Sequence, residues 1–413
     1  MLKPDVAVVG GGVAGTLAAL MLGRAGFDVV LIDPARPQGS EFRCEKLEDS
    51  HQRALRRAGV LDELLAFTVR YDGIWIGRRG RLAEHRRAVE FGIDYAALVN
   101  RLHGLLPPSV RVLDDKVTHV EPVGDGCPRR LHLASDRHID ARLVVLATGS
   151  HAETLATFGY ARHMTSRCHS VSIGFDLAPS NARIRDLGAL TWFGETPQDR
   201  VAYLTVFPLP GRLRANLFVY RGMDDAWLRQ LRADPSAVIN DALPGFAKTI
   251  GRLEVTGPVR FRPVDLVDTD AAPRPGEVLV GDAFSTACPA SGTGASKAMI
   301  DVERLCNVYA PEWLSSGAVP ADAIARFYGD REKRSSDRHS RKVSLFAKRI
   351  ALDEGGLWTT LRWARAAASR SRHFIPRVHR QVVRAASLDS SPTTSVYPAS
   401  QGGIAQVVRA KVS

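Results

Sequence analysis

Six residues near the start of the chain, Gly10-Gly11-Gly12-Val13-Ala14-Gly15, satisfy the pattern G-x-G-x-x-G. Glycine at the first position lets the chain turn, at the second it lets the backbone approach a pyrophosphate, and at the third it lets a helix pack closely on a strand. The N-terminus of that helix then faces the anion. Asp33 follows Gly15 by 18 residues, where a carboxylate can accept hydrogen bonds from a ribose diol. A second constellation stands roughly 270 residues further on: Gly281-Asp282, then Pro289 and Gly292-Thr293-Gly294-Ala295. An acid closing an apolar strand, followed by a Pro/Gly-rich loop that opens a helix, sets a carboxylate and several backbone amides beside one ligand. A plain turn into a helix is the competing reading for either stretch alone.

These residues need a frame to hold them. Asp5–Val9 is a short apolar run suited to a strand buried on both faces, Thr16–Ala25 has a helix-forming composition, and Phe27–Ile32 reads as a second strand, giving one βαβ unit. Glu48–Phe67 carries helical spacing, Gly73–Ile76 and Ala88–Phe91 read as a strand pair, and Tyr95–Leu106 as a helix. Val110–Leu113, Val117–Val120, Leu131–Ala134 and Leu143–Ala147 read as strands. From Ser170 to Tyr220, four partly alternating runs joined by turn-rich segments predict an antiparallel sheet. Val278–Val280 returns to the strand-then-helix style, with a helix from about Gly294 to Tyr309 and helical pattern continuing to about Arg384. Ser387–Ser413, rich in Ser, Thr and Gly, reads as a disordered tail.

Composition narrows the classes. The 413 residues are 45% hydrophobic and 24% charged, which excludes wholesale disorder and collagen-like or disulfide scaffolds. The net charge of +12 is local: 17 of the 56 cations and 5 of the 44 acids follow position 330, so everything before it is formally neutral. A nucleic-acid partner for the whole protein is therefore not expected. The five cysteines, Cys44, Cys127, Cys168, Cys288 and Cys306, form no C-x-x-C pair, which argues against a metal site and for a reducing, cytoplasmic setting. Val6–Gly23 carries no charge, yet its five glycines suit a strand, turn and helix better than a membrane span or signal peptide.

With both glycine signatures present in this order, the chain resembles the class A flavoprotein monooxygenases over roughly residues 4–310. The late motif of that family stands here as Gly281-Asp282-Ala283-Phe284 through Pro289 and Gly292-Thr293-Gly294. The resemblance implies an α/β fold of the p-hydroxybenzoate-hydroxylase type: a Rossmann-like FAD-binding domain with an inserted antiparallel-sheet substrate domain, plus C-terminal helices. The FAD-binding part would take 1–70, 95–155 and 275–330, the substrate part 71–94 and 156–274, and a basic helical extension 331–386. The cofactor implied is FAD, with NAD(P)H as electron donor and dioxygen as co-substrate. An aromatic or unsaturated organic substrate would be hydroxylated or epoxidised through a flavin C4a-hydroperoxide. Gly10, Gly12, Val13, Ala14, Gly15, Asp33, Asp282, Pro289, Gly292, Gly294 and Ala295 are the expected FAD contacts.

Further positions come with the resemblance. Arg101 stands where a helix arginine of the family touches the flavin nucleotide, and Arg43 and Lys46 lie just past the ribose acid. A solvated cation is the competing reading for each. Pocket candidates from the expected sheet are Trp192, Phe193, Tyr203, Phe207 and Pro208, against plain core packing. His163, Cys168 and His169 are candidates for proton transfer, against structural roles.

Two departures bear on the chemistry. Ala147-Thr148-Gly149 replaces the family's Ala-Asp-Gly, and Phe284-Ser285 stands where Ala-His is usual. An Ala-Thr-Gly sequence fits a geranylgeranyl-reductase-like flavoenzyme equally well, which stays open as the alternative. A flavin-dependent halogenase ranks below it, because W-x-W-x-I-P is absent. In the basic segment, 351–384 mixes arginines with Leu357, Trp358, Trp363 and Phe374, a composition suited to peripheral contact with an anionic membrane. Packing on the protein body is the competing reading, and is the one expected for 310–350.

Overall fold

The computed structural model describes residues 2–34, 37–39, 41, 43, 45–122 and 129–371. Residues up to Arg370 form one compact unit. The remainder of the basic extension, the tail from Ser387, Phe374, and the cysteines Cys44 and Cys127 fall outside the described residues.

The floor is a five-stranded parallel sheet in the order Glu277–Leu279, Leu143–Leu146, Val6–Val9, Val29–Ile32, Val110–Leu113. Val6 pairs with both Val29 and Leu143, so the first strand is central. Its side chains alternate between two cores. Val6 and Val8 pack with the helices Val13–Arg24, Tyr95–Gly104 and Gly294–Arg304. Ala7 and Val9 pack beneath a three-stranded antiparallel layer, Val117–Pro122, Arg129–Leu133 and His138–Ala141. Burial on both faces explains the uninterrupted apolar runs. No helix among the described residues is long and apolar enough to cross a membrane, and the Val6–Gly23 stretch is strand, turn and helix.

The roof is a seven-stranded sheet ordered Val255–Thr269, Arg162–Leu177, Arg212–Val219, Val201–Leu209, Ala189–Phe193, Ile74–Arg78, Arg81–Arg86. One face carries Val171, Ile173, Phe175, Trp192, Leu204 and Leu217 against the helices Ala226–Ala233, Pro235–Ala242 and Pro244–Thr249. Its other face looks onto the site.

Several elements depart from the sequence reading. The helix expected over Glu48–Phe67 is two, Asp49–Arg57 and Leu61–Leu65, because Val60 N–H closes back on Leu55 O and ends the first. Ile74–Arg78 pairs with Arg81–Arg86 through a tight turn at Arg79-Gly80, both at positive φ. Glu90–Gly92 instead joins Lys46–Leu47 and Val69–Tyr71 in a small separate sheet. The strand Val255–Thr269 was not legible, since Gly257, Pro258 and Pro263 interrupt its pattern. It lies at the sheet edge, where a missing N–H donor is tolerated.

Candidate FAD and substrate site

The first glycine turn is held by close backbone contacts. Gly10 has φ +105, and a Cβ there would lie 2.5 Å from Ala147 O; a Cβ on Gly15 would lie 1.8 Å from Gly10 O. No other residue type fits either position. Thr16 Oγ1 donates to Gly11 O at 2.9 Å, and His103 Nε2 lies 3.1 Å from the same hydroxyl. The Asp33 carboxylate accepts the Gly11 N–H, so it braces the turn as well as facing the cavity. The helix Val13–Arg24 begins with no side-chain cap and no acid in its first turn. Its free N–H groups and dipole are left for an anion.

A cavity of about 870 Å³ joins this turn to the late loop. Gly10, Gly12, Val13, Ala14, Asp33 and Arg43 line one side, and Asp282, Pro289, Gly292, Gly294 and Ala295 another. Gly15 sits behind the turn and does not line it. The late helix Gly294–Arg304 also starts without a side-chain cap or first-turn acid. Between the two turns, Arg162 donates from Nη1 to Ser150 O and from Nη2 to Asp282 O, both at 3.0 Å. It ties Ser150, next to the Ala147-Thr148-Gly149 segment, to the late motif.

Seven of the sequence candidates stand elsewhere. Arg101 points away from the cavity: its guanidinium lies over the Phe67 ring at 4.9 Å, and its Nε donates to Glu63 O. Tyr95 on the same helix does line the cavity. Six residues at about 100° each separate their directions by roughly 240°. Trp192 is fully buried on the opposite face of the roof, edge-on to Phe246 and bonded through Nε1 to Glu195. Tyr203, Thr205 and Phe207 share the cavity face at alternate positions, which sends Pro208 off that face. Phe193, His163, Cys168 and His169 also lie off the cavity. His169 is occupied by Ser166 and the Ser344 carbonyl. Lys46 does line it, paired with Glu48 at 2.5 Å.

The roof supplies residues the sequence did not single out. Ser172, Asn216, Phe218 and Arg262 line the cavity from three adjacent strands, together with Glu45 from the loop before Lys46. Glu45 is 2% exposed; its carboxylate accepts from Arg214 Nη1 at 2.6 Å and from Asn216 Nδ2 at 3.1 Å. Burial pushes its carboxyl up to about 7 despite the adjacent guanidinium. His51, also on the cavity wall, is driven down to about 4 by burial and is neutral near pH 7. Burial raises the Tyr203 phenol. Thr148 Oγ1, Ser172 Oγ and Asn216 Oδ1 are buried with no partner among the described residues, and all three belong to cavity-lining residues. No group of three or more metal-ligating side chains exists among the described residues.

Residues 3–105 match the profile of the FAD binding domain family. Over 369 residues the chain is 26% identical to 6-hydroxynicotinate 3-monooxygenase of Bordetella bronchiseptica, covering 82% of this chain and 90% of that one. The chain is thus an FAD-dependent monooxygenase in type, similar to the class A flavoprotein monooxygenases. The fold of the monooxygenase is shared with the crystal structure of p-nitrophenol 4-monooxygenase PnpA from Pseudomonas putida, at TM-score 0.76 and 18% identity, covering 94% of this chain and 98% of that one. It is shared too with PqsL of Pseudomonas aeruginosa in complex with 2-aminobenzoylacetate, at TM-score 0.70 and 19% identity, over 89% of this chain and all of that one. Two uncapped helix starts, the glycine cradle and the unpartnered hydroxyl of Thr148 beside one elongated cavity fit FAD.

Proposed function

We propose that this monooxygenase hydroxylates a small aromatic or heteroaromatic ring bearing its own hydrogen-bonding substituent, using NAD(P)H as reductant. What supports this most is the continuity of one cavity from the first glycine turn to the polar-and-aromatic face of the roof. FAD supplies the activation of dioxygen when bound. The residues then divide the remaining work. Gly12, Val13, Ala14 and the helix behind them receive the diphosphate, with Asp33 on the ribose and Arg43 beside it. Asp282 takes a hydroxyl of the ribityl chain, with Pro289 shaping the loop. The amides at Gly292, Gly294 and Ala295 face the negative charge of the reduced ring. We adopt 1–70, 95–155 and 275–330 as the part that holds FAD, and 71–94 with 156–274 as the part that roofs the substrate.

On the roof, Tyr203, Phe207 and Phe218 offer a ring-shaped apolar surface and keep water out. Asn216 gives its Nδ2 to Glu45, so its Oδ1 is left to receive a substrate O–H or N–H. The Ser172 hydroxyl, on the neighbouring strand, can donate or accept. The 6-hydroxynicotinate named for the relative has such a ring and such a group. Substrate-stimulated NAD(P)H oxidation is measured with 6-hydroxynicotinate, p-nitrophenol and 2-aminobenzoylacetate under labelled dioxygen. One labelled oxygen in a product supports the reading; flavin reduction with peroxide alone and no oxygenated product from any of them counts against it.

A second reading concerns position in the cell. Leu357 and Trp363 on the helix Gly356–Ser371 are 69% and 55% exposed, which supports peripheral contact of 351–384 with an anionic membrane. The Arg79 guanidinium, 3.2 Å from the Trp363 ring centroid, supports packing on the body instead. Co-sedimentation with phosphatidylserine-containing vesicles, for the intact chain and for a Leu357→Asp, Trp363→Asp double variant, decides between them. Equal sedimentation of the two removes the membrane reading.

A further inference from the structure

Gly281 opens the late motif at φ +62, and both of its main-chain groups end on charged side chains. Its N–H donates to Asp301 Oδ2 at 2.9 Å, and its carbonyl accepts from Lys297 Nζ at 3.1 Å beside the Phe284 and Ser285 N–H groups. Lys297 and Asp301 sit one turn apart on the late helix, at 1% and 0% exposure. Such charges are costly to bury unless they are paired. Their partners come from another helix, Arg331–Leu352, with which the basic extension begins. Lys333 Nζ reaches Asp301 Oδ1 at 3.1 Å, Asp337 reaches Lys297 at 3.2 Å, and Lys333 and Asp337 meet each other at 3.2 Å. Two lysines and two aspartates thus close into a ring with no net charge. The buried face of this long helix is otherwise small and polar: Ser340 and Ser344.

The same helix grips the loop at three further points. Lys333 Nζ lies 3.8 Å from the Phe284 ring centroid, one residue before Ser285, which stands where the family usually has a histidine. Ser344 Oγ accepts the Cys288 N–H at 3.1 Å, and Ser340 Oγ pairs with Thr293 Oγ1 at 2.7 Å. Contacts therefore run from Gly281 to Thr293, the whole span between the acid of the motif and the helix start that faces the cavity.

We propose that Lys333 and Asp337 are positioning residues for the flavin site, holding Lys297 and Asp301 and through them the Gly281-Asp282 turn. The inference rests on the reading that this cavity holds FAD through Asp282. Without the second pair, Lys297 and Asp301 keep their charges in a dry site and must re-pair, which releases Gly281 and turns the Asp282 carboxylate away from the cavity. Affinity for FAD and the asymmetry of the bound flavin both depend on that turn, whereas general stability does not report on it.

The test is FAD titration of apoprotein by quenching of flavin fluorescence, with visible circular dichroism of the reconstituted protein. Lys333→Met is compared with Asp337→Asn, a milder change at a partly exposed position that keeps the protein folded if the first does not. Phe246→Ala, in the core beneath the far face of the roof, serves as the control for lost stability. The expected result is a dissociation constant raised at least about tenfold in Lys333→Met, with altered flavin dichroism and a smaller change of the same sign in Asp337→Asn. Phe246→Ala should lower Tm and leave the dissociation constant within about twofold. Wild-type affinity and dichroism in both charge variants overturn the proposal, as does an equal loss of affinity in Phe246→Ala. Failure of the wild-type apoprotein to take up FAD at all overturns the cofactor reading itself, and is distinguishable because it precedes any variant.

Discussion

The two turns that close on the cavity are built on opposite principles. The first, Gly10 to Ala14, is held by backbone-to-backbone proximity, with Thr16, His103 and Asp33 as braces. Apart from the Ala147 carbonyl packed against Gly10, its parts lie within residues 3–105, the span matched by the FAD-domain profile. The late turn is held by four paired charges, three of them buried and two on a helix that lies past the end of the recognisable motif. Packing without a Cβ tolerates no substitution but needs no charged partner. A charge ring allows conservative exchange yet fails when any single member is removed. The first turn thus leans on neighbouring backbone of the parallel sheet, whereas the late loop depends on a segment that composition alone presents as a basic appendage.

Sequence changes can break this comparison. Gly15→Val drives a side chain into Gly10 O, and the expected outcome is loss of both bound flavin and fold, read as colourless or aggregated protein and a collapsed Tm. Asp301→Ala leaves the two buried lysines, Lys297 and Lys333, to share Asp337. It should cost about 3–5 kcal/mol in urea unfolding, the typical penalty for breaking one side of a buried pair. If Asp301→Ala proves as mild as a surface change, the two turns are not built differently.

Two predictions separate cofactor from substrate. Asn216→Leu removes the Oδ1 acceptor on the roof and leaves Glu45 with one fewer donor. The substrate KM should rise at least about tenfold while FAD affinity stays unchanged, in steady-state kinetics with the identified substrate. Glu45 gives a pH signature. Its carboxyl is raised from 4.5 to about 7, so its stabilising contribution is full below pH 4.5 and is lost as pH rises through 7. Burial sets that value, with Arg214 and Asn216 opposing the rise and Asp94 and Asp176 adding to it. Glu45→Gln should flatten the Tm profile between pH 4.5 and 8, narrowing its deficit or widening its advantage over wild type as the pH rises. A pH-independent difference excludes the raised carboxyl. The smallest effect is expected for Arg101→Ala, with FAD affinity within about twofold of wild type, because its guanidinium stacks on Phe67.

What could be read in advance follows from which interactions are local. The parallel strands were legible because burial on both faces leaves no alternation to misread, as in Val6–Val9 and Leu143–Leu146. The roof was legible in its middle strands and not at its edge, where Pro258 and Pro263 suppress the pattern in Val255–Thr269. Among the pocket candidates, Tyr203 and Phe207 line the cavity and Trp192 does not, although all three are aromatic and close in sequence. Register decides this. Trp192 lies opposite Leu204 in the ladder, one position out of phase with the cavity face.

The sequence by itself determined the nucleotide-binding turn, the acid after the second strand, and the late Gly-Asp motif with its glycine loop. Each is set by steric or hydrogen-bonding demands of the backbone within a few residues. Tertiary structure alone decided that Glu45 meets Asn216 across 171 positions and that Lys333 from the basic helix completes the charge around Asp301. Those meetings depend on strand register and helix packing: a single-residue shift would send strand side chains to the opposite face and rotate helix side chains by about 100°.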